Sequence, residues 1–311
     1  MKFKDWKRKL YKLVNIIQIN KYYRNYLLKN KRMHKFHIVD RSPWPFRLSL
    51  SILIMLIGLI MYLHLVKHGG KVFVIGFILV VLISSFWFLD IIREATYLGH
   101  HTTAVQSMIK KGMILFILSE IMLFFAFFWA FFHSSLSPSV WIGSVWPPKG
   151  INTPIATGIP LLNTGLLIFS GVTITLAQTG IEKREYKWAH AGFLYTIVCA
   201  IVFLCLQVYE YIHLSFTLAD SVYGSCFFML TGLHGFHVLL GTLIIIVSYI
   251  RFIKGHFNRK HYLGLKMGAW YWHFVDGVWI LLFIWVYVWG NIQFTEEELV
   301  KLYDLFINSR S

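Results

Sequence analysis

Seven apolar runs, each about as long as a bilayer is thick or longer, follow one another along the chain. They lie at roughly 44–66, 71–93, 111–133, 160–179, 190–213, 222–251 and 267–290. About 20 apolar residues in a helix cross a hydrocarbon layer ~30 Å thick, so each run predicts a transmembrane helix. Gly and Pro gather in the connections, as in WPPKGINTP from Trp146 to Pro154. No internal repeat is visible. The pattern predicts an all-α polytopic membrane protein with three parts: a basic amino-terminal extension over 1–41, a seven-helix membrane domain over 42–291 and a carboxy-terminal extension over 292–311.

Composition supports this reading. Of 311 residues, 57% are hydrophobic and 14% charged, and mean hydropathy is +0.60; a soluble domain carries about 25% charged residues. The net charge of +16 is unevenly placed, with thirteen Lys and Arg between Lys2 and Arg41. Next to alternating apolar spans, such a cluster fits a membrane surface rather than nucleic acid. With the amino-terminus inside, 25 Lys and Arg fall on the inner side and 5 on the outer. That asymmetry predicts an inside amino-terminus and an outside carboxy-terminus. Cys199, Cys205 and Cys226 all sit in apolar runs without CxxC or metal-ligand spacing, so neither a disulfide framework nor a zinc site is expected. The basic leader is rich in Lys, Asn, Ile and Tyr rather than Arg and Ser, which argues against a cleaved transit peptide.

Both extensions carry amphipathic patterns. Trp6, Leu10, Leu13, Val14 and Ile17 share one helical face, which predicts an interfacial helix. Near the other end, Thr295 and Glu298 have capping-box spacing, followed by an apolar stripe of Leu299, Leu302 and Phe306.

Charge inside the spans is the candidate chemistry. Glu120 lies about 15 Å along a helix from Lys110, near mid-bilayer. An acid there must be paired, neutral or solvated, and its sequence neighbours Phe116, Leu123 and Phe124 offer no polar group. A hydrogen bond within the bundle and a part in proton handling are the two readings. His234 and His237, three apart in the sixth span, share a face and predict packing hydrogen bonds. His273 and Asp276 have the same spacing and are expected to form a local buried polar pair. Glu210 sits beside Gln207 and Tyr211 near the outer end of the fifth span, where water is close, and is counted with these residues as buried polar packing. Asp90, Arg93, Glu94, His101, Arg251 and His256 gather at the inner interface, well placed for phosphate head groups or simply for snorkelling. No Gly-rich phosphate loop and no Ser–His–Asp set appears, which argues against independent catalysis.

Several of these segments resemble one family. They include HKFHIVDRSPWP (34–45), DIIREATYLGHHTTAVQ (90–106), GMILFILSEIMLFFAFFWAFFHSSLSP (112–138), WPPKGI (146–151), IPLLNT (159–164), VYGSCFFMLTGLHGFHVLLGT (222–242) and AWYWHFVDGVW (269–279). Over about residues 34–291 the chain resembles subunit III of cytochrome c oxidase. The resemblance implies seven helices, two splayed from five around a V-shaped cleft that holds phospholipid. It also implies packing against catalytic subunit I and other complex IV subunits in the mitochondrial inner membrane, with haem a and copper carried by the partners and none by this chain. Glu120 matches the family's carbodiimide-reactive intramembrane acid. Arg93, Glu94, His101, Arg251 and His256 match its lipid head-group positions. Arg41, Leu89, Leu176, Gln178, Thr179, Lys266 and Gly277 depart from the family's usual residues. Abundant Lys, Ile, Phe and Asn fit a low-GC organelle genome such as that of a protist mitochondrion.

Rival readings come from other classes. A membrane cytochrome holding haem through His234 would need a second facing histidine pair, and the sequence offers no convincing one. A quinol oxidase subunit III typically lacks the first two spans, which are both present here. A transporter would show paired repeats with interrupted helices.

Overall fold

The computed structural model describes residues 36–259 and 261–291, and the amphipathic segments expected in the two extensions lie outside them. The described residues are helical almost throughout. In order they form α1 (Trp44–Leu63), α2 (Gly69–Thr96), α3 (Thr103–Leu136), a short 3-10 turn (Val140–Ile142), α4 (Ile159–Lys183), α5 (Tyr186–His213), α6 (Val222–Ile253) and α7 (Leu263–Leu282). A π-helical stretch (Phe283–Val288) and a 3-10 turn (Trp289–Asn291) extend α7. All seven helices, the last counted with its extension, are long and apolar enough to cross a membrane. Most of the helices outrun their apolar runs, most clearly α3, whose 34 residues make it about 51 Å long. Charge ends a hydrophobic run, whereas Lys, Gln and Thr continue a helix at little cost.

The chain divides into two compact units, Met1–Lys111 and Gly112–Ser311, with the boundary inside α3. In the first unit α1 and α2 form a hairpin whose backbones touch. A Cβ at Gly58 would fall 2.3 Å from the Phe73 nitrogen, and one at Gly76 would fall 2.5 Å from the Met55 Cα. Lipid tails are as apolar as Leu, so membrane helices associate by close van der Waals packing, and small residues permit it.

The second unit has a true interior. Phe193, Phe203, Phe227, Trp272, Trp279 and Tyr287 are fully buried in it. Arg184 takes a left-handed conformation (φ 63°) and turns α4 into α5, with the Glu185 N–H donating to the Gly180 carbonyl at 2.8 Å. The side chain of Ser221 caps α6 by accepting from the Gly224 N–H at 3.1 Å. Buried polar atoms find partners across helices: Trp272 Nε1 donates to Ser170 Oγ and Trp279 Nε1 to Thr164 Oγ1, both at 2.9 Å, and the Thr173 and Thr196 hydroxyls lie 2.7 Å apart. With no water in hydrocarbon, each such group would otherwise be stranded.

Candidate functional site

The bundle answers the question posed by Glu120. His237 Nε2 on α6 lies 2.7 Å from Glu120 Oε2 on α3. The two residues are 117 positions apart, and their side chains are 5% and 17% exposed respectively. His237 is held from the other side as well. Its Nδ1 is 2.7 Å from the Leu233 carbonyl, and the Phe124 ring meets it edge-on at a centroid distance of 5.0 Å. Because a carboxyl with a partner need not be stripped bare in the membrane, this pair explains how α3 carries an acid at that depth. The local sequence of α3 offered no partner because the partner sits on another helix. The available signal was an acid and a histidine each stranded in an apolar run.

His234, one turn away, is fully buried. Its Nε2 lies 3.1 Å from the Val275 carbonyl on α7, while Nδ1 has no partner. Phe203 and Trp279 flank its ring.

One expectation needs correction. His273, expected as half of a buried pair with Asp276, is exposed on α7, and its Nε2 lies 3.2 Å from Thr175 Oγ1 on α4 rather than on the aspartate. Trp272, Val275 and Trp279 take the inward positions of α7, and a residue one step along the helix is turned about 100° from them. Asp276 is half-buried, and its Oδ1 has no hydrogen-bond partner. Glu210, counted from the sequence with the buried polar residues although it lies near the outer end of its span, is 6% exposed. Gln207 Nε2 donates to its Oε2 at 3.2 Å, the Tyr287 hydroxyl donates to the same oxygen at 3.4 Å, and Asn163 joins the group by donating to Gln207 Oε1 at 3.4 Å. Tyr211 donates instead to Thr231 Oγ1 at 2.7 Å. Tyr287 reaches this cluster from the π-helical stretch, a local change of helical register that no hydrophobic pattern reveals.

The inner-interface residues divide between the units. In the first, the Arg93 guanidinium pairs with Asp90 at 2.9 Å, and the Trp44 indole N–H donates to the other oxygen of Asp90 at 2.7 Å. Glu94 lies 3.5 Å from His37 Nε2, whose ring lies beside that of His100 at a centroid distance of 4.4 Å, tilted by 46°. The His101 carbonyl accepts from Gln106 Nε2 at 2.9 Å. In the second, the Arg251 guanidinium lies over the Phe257 ring at 4.8 Å and leaves its Nε buried without a partner. The backbone N–H of His256 donates to the Arg251 carbonyl at 3.0 Å, which sets the two residues close together at the end of α6. Burial, with the charges of Arg251 and Lys254 nearby, holds the His256 imidazole below its usual pKa. Tyr262, just before α7, donates its hydroxyl proton to Glu182; burial and that acid push its pKa up to about 12.

A polytopic helical membrane protein emerges, with an acid and a histidine joined inside its bundle and cationic side chains at the ends of its helices. Comparison with known proteins gives the family. The model of the family described as cytochrome c oxidase subunit III matches residues 34–291, which takes in all seven helices. Proteins named cytochrome c oxidase subunit 3 are similar over most of the chain. That of Prototheca wickerhamii is 47% identical over 260 residues, covering 84% of this chain and 99% of that protein. That of Chondrus crispus is 48% identical, with 85% and 97% covered, and that of Drosophila melanogaster is 46% identical, with 83% and 98% covered. The chain belongs to the cytochrome c oxidase subunit III family. It is a mitochondrial membrane protein with several spanning helices, and a component of an oxidoreductase complex.

Proposed function

We propose that this chain braces the catalytic subunit of cytochrome c oxidase in the mitochondrial inner membrane, retains phospholipid, and sustains proton uptake while the complex reduces oxygen. It carries no haem or copper; haem a and copper belong to partner subunits, subunit I chiefly. Its amino-terminus lies in the matrix and its carboxy-terminus in the intermembrane space, an orientation supported by the 25-to-5 distribution of basic residues. Arg93, Glu94, His101, Arg251 and His256 hold lipid head groups at the matrix side. Arg251 supports this assignment best: a partly exposed guanidinium in the last turn of α6 suits a phosphate oxygen. The structural role is supported by the hydrogen bonds that already engage Nε2 of His234 and of His237.

The observation that carries the proposal is the family match across all seven helices, with Glu120 joined to His237 between two of them. The test is affinity purification through a tag on this chain in mild detergent. The expected product contains a haem–copper subunit and shows its haem absorption, while the chain isolated from it shows no Soret band. Recovery of the chain without any haem–copper partner, or a Soret band in the isolated chain, overturns the proposal.

A further inference from the structure

We propose that the turn joining α1 to α2 is a membrane-surface anchor: its apolar tip enters the lipid head-group layer, and the lysine and histidine side chains around the tip engage the phosphate groups of anionic phospholipid there. The turn lies at the other end of the hairpin from Arg93 and Glu94, so this site is separate from the head-group positions assigned to them.

Depth comes first. α1 runs for 20 residues from Trp44, about 30 Å, which is the thickness of the hydrocarbon layer. The Trp44 indole is tied to Asp90 at one end of the hairpin. The turn after Leu63 therefore emerges at head-group level on the opposite membrane face. Its backbone is firmly held. The Leu65 N–H donates to the Tyr62 carbonyl at 3.0 Å, the Val66 N–H to the Met61 carbonyl at 2.8 Å and the Gly69 N–H to the Val66 carbonyl at 3.0 Å. A Cβ at Gly69 would fall 2.5 Å from the Tyr62 nitrogen, so the two helices touch right up to the tip.

The tip presents apolar side chains outward. Leu65 is 92% exposed, and Tyr62, Leu63 and Val66 are exposed beside it. Leu65 and His68 both hold left-handed backbone, with φ of 55° and 69°, a region that side chains rarely adopt. Glycine fits such positions without strain, yet it stands only at the next two, 69 and 70. A strained leucine with almost no contact inside the hairpin gains nothing from the fold itself. Burial among lipids supplies the missing gain.

Charge selects which lipid. His64, Lys67, His68 and Lys71 are exposed around the tip. Among the described residues neither lysine has an ion-pair partner, and no acidic residue lies between Asp40 and Asp90. An apolar centre inside a cationic collar, at head-group depth, is complementary to an anionic lipid surface.

The test uses the intact, purified oxidase in vesicles of phosphatidylcholine and phosphatidylglycerol in equal amounts. A photoreactive p-benzoylphenylalanine replaces Leu65, and one replacing Ile57, eight residues deeper on α1, serves as the comparison. Adducts are identified by mass spectrometry. A lysine close to an anionic surface is worth about fivefold in affinity. Adducts from position 65 are therefore expected to favour phosphatidylglycerol by about fivefold or more, and those from position 57 to show no such preference. Lys67→Gln combined with Lys71→Gln should bring the ratio at position 65 close to one, and raising the salt concentration should lower it in the parent. Equal adducts to both lipids from position 65 overturn the proposal, as does the same preference at position 57. Adducts to another subunit, or none, overturn it too, because the tip then lies under protein or in water. A ratio that survives both the double substitution and high salt refutes the part assigned to the cationic collar.

Discussion

Replacing His237 by phenylalanine isolates what the partner of Glu120 contributes. Phenylalanine keeps an aromatic ring against Phe124 and removes the nitrogen that lies 2.7 Å from Glu120 Oε2. Two physical limits bracket the loss. A hydrogen bond between membrane helices contributes about 0.6 kcal/mol on average and up to about 1.7. An ionised group left buried without its partner costs about 3–5 kcal/mol. Glu120 is 17% exposed, so His237→Phe should fall between these limits, at about 2–3 kcal/mol. Glu120→Leu removes the acid and strands only an imidazole nitrogen, at about 1–2 kcal/mol. The double variant leaves neither group unpaired and should lie within about 1 kcal/mol of the parent, because apolar replacement of both partners is often neutral. The order of costs is therefore His237→Phe, then Glu120→Leu, then the double variant, with a coupling of at least about 2 kcal/mol. The assay is an SDS titration of the purified oxidase, following unfolding of this chain in all four forms. Additive single effects, within about 0.5 kcal/mol, would refute the reasoning, as would a His237→Phe no costlier than Glu120→Leu.

The α1–α2 hairpin and His256 give two further predictions. Gly76→Ala puts a methyl group 2.5 Å from the Met55 Cα, so the hairpin must open. A loss of about 1–3 kcal/mol is expected, read as a wider spin-label distance between α1 and α2, and an unchanged distance would count against backbone contact there. His256 titrates below its usual value of 6.5, so below pH 6.5 the unfolded chain binds a proton that the folded one resists. Stability should therefore fall as pH drops through 6.5 toward the folded value and be fully present above it. His256→Gln should flatten that slope in thermal melts of the complex, and an unaltered slope would refute the assignment.

How much was legible in the sequence can be judged residue by residue. The seven helices were, because a bilayer imposes one length and one composition on anything that crosses it as a helix. The orientation proposed here was too, since it rests on counting basic residues in the connections. The family was carried by contiguous segments such as DIIREATYLGHHTTAVQ and TGLHGFHVLLG, confirmed by a match over residues 34–291. Glu120, His234, His237, Glu210 and Asp276 stood out because polar groups in hydrocarbon are expensive and therefore rare. What each of them touches was not legible. The Glu120–His237 contact spans 117 positions, and the Tyr287–Glu210 contact spans 77 and depends on a π-helical turn. Spacing of three on one helix suggested that His273 would serve Asp276, yet the ring faces Thr175 across the α4–α7 seam, 98 residues away in sequence. Spacing along a helix fixes only the angle at which a side chain leaves the axis. Its hydrogen-bond partner depends on how that helix is rotated and seated against its neighbours, and close backbone packing and the cost of leaving buried polar atoms unpaired decide that only once the bundle is assembled.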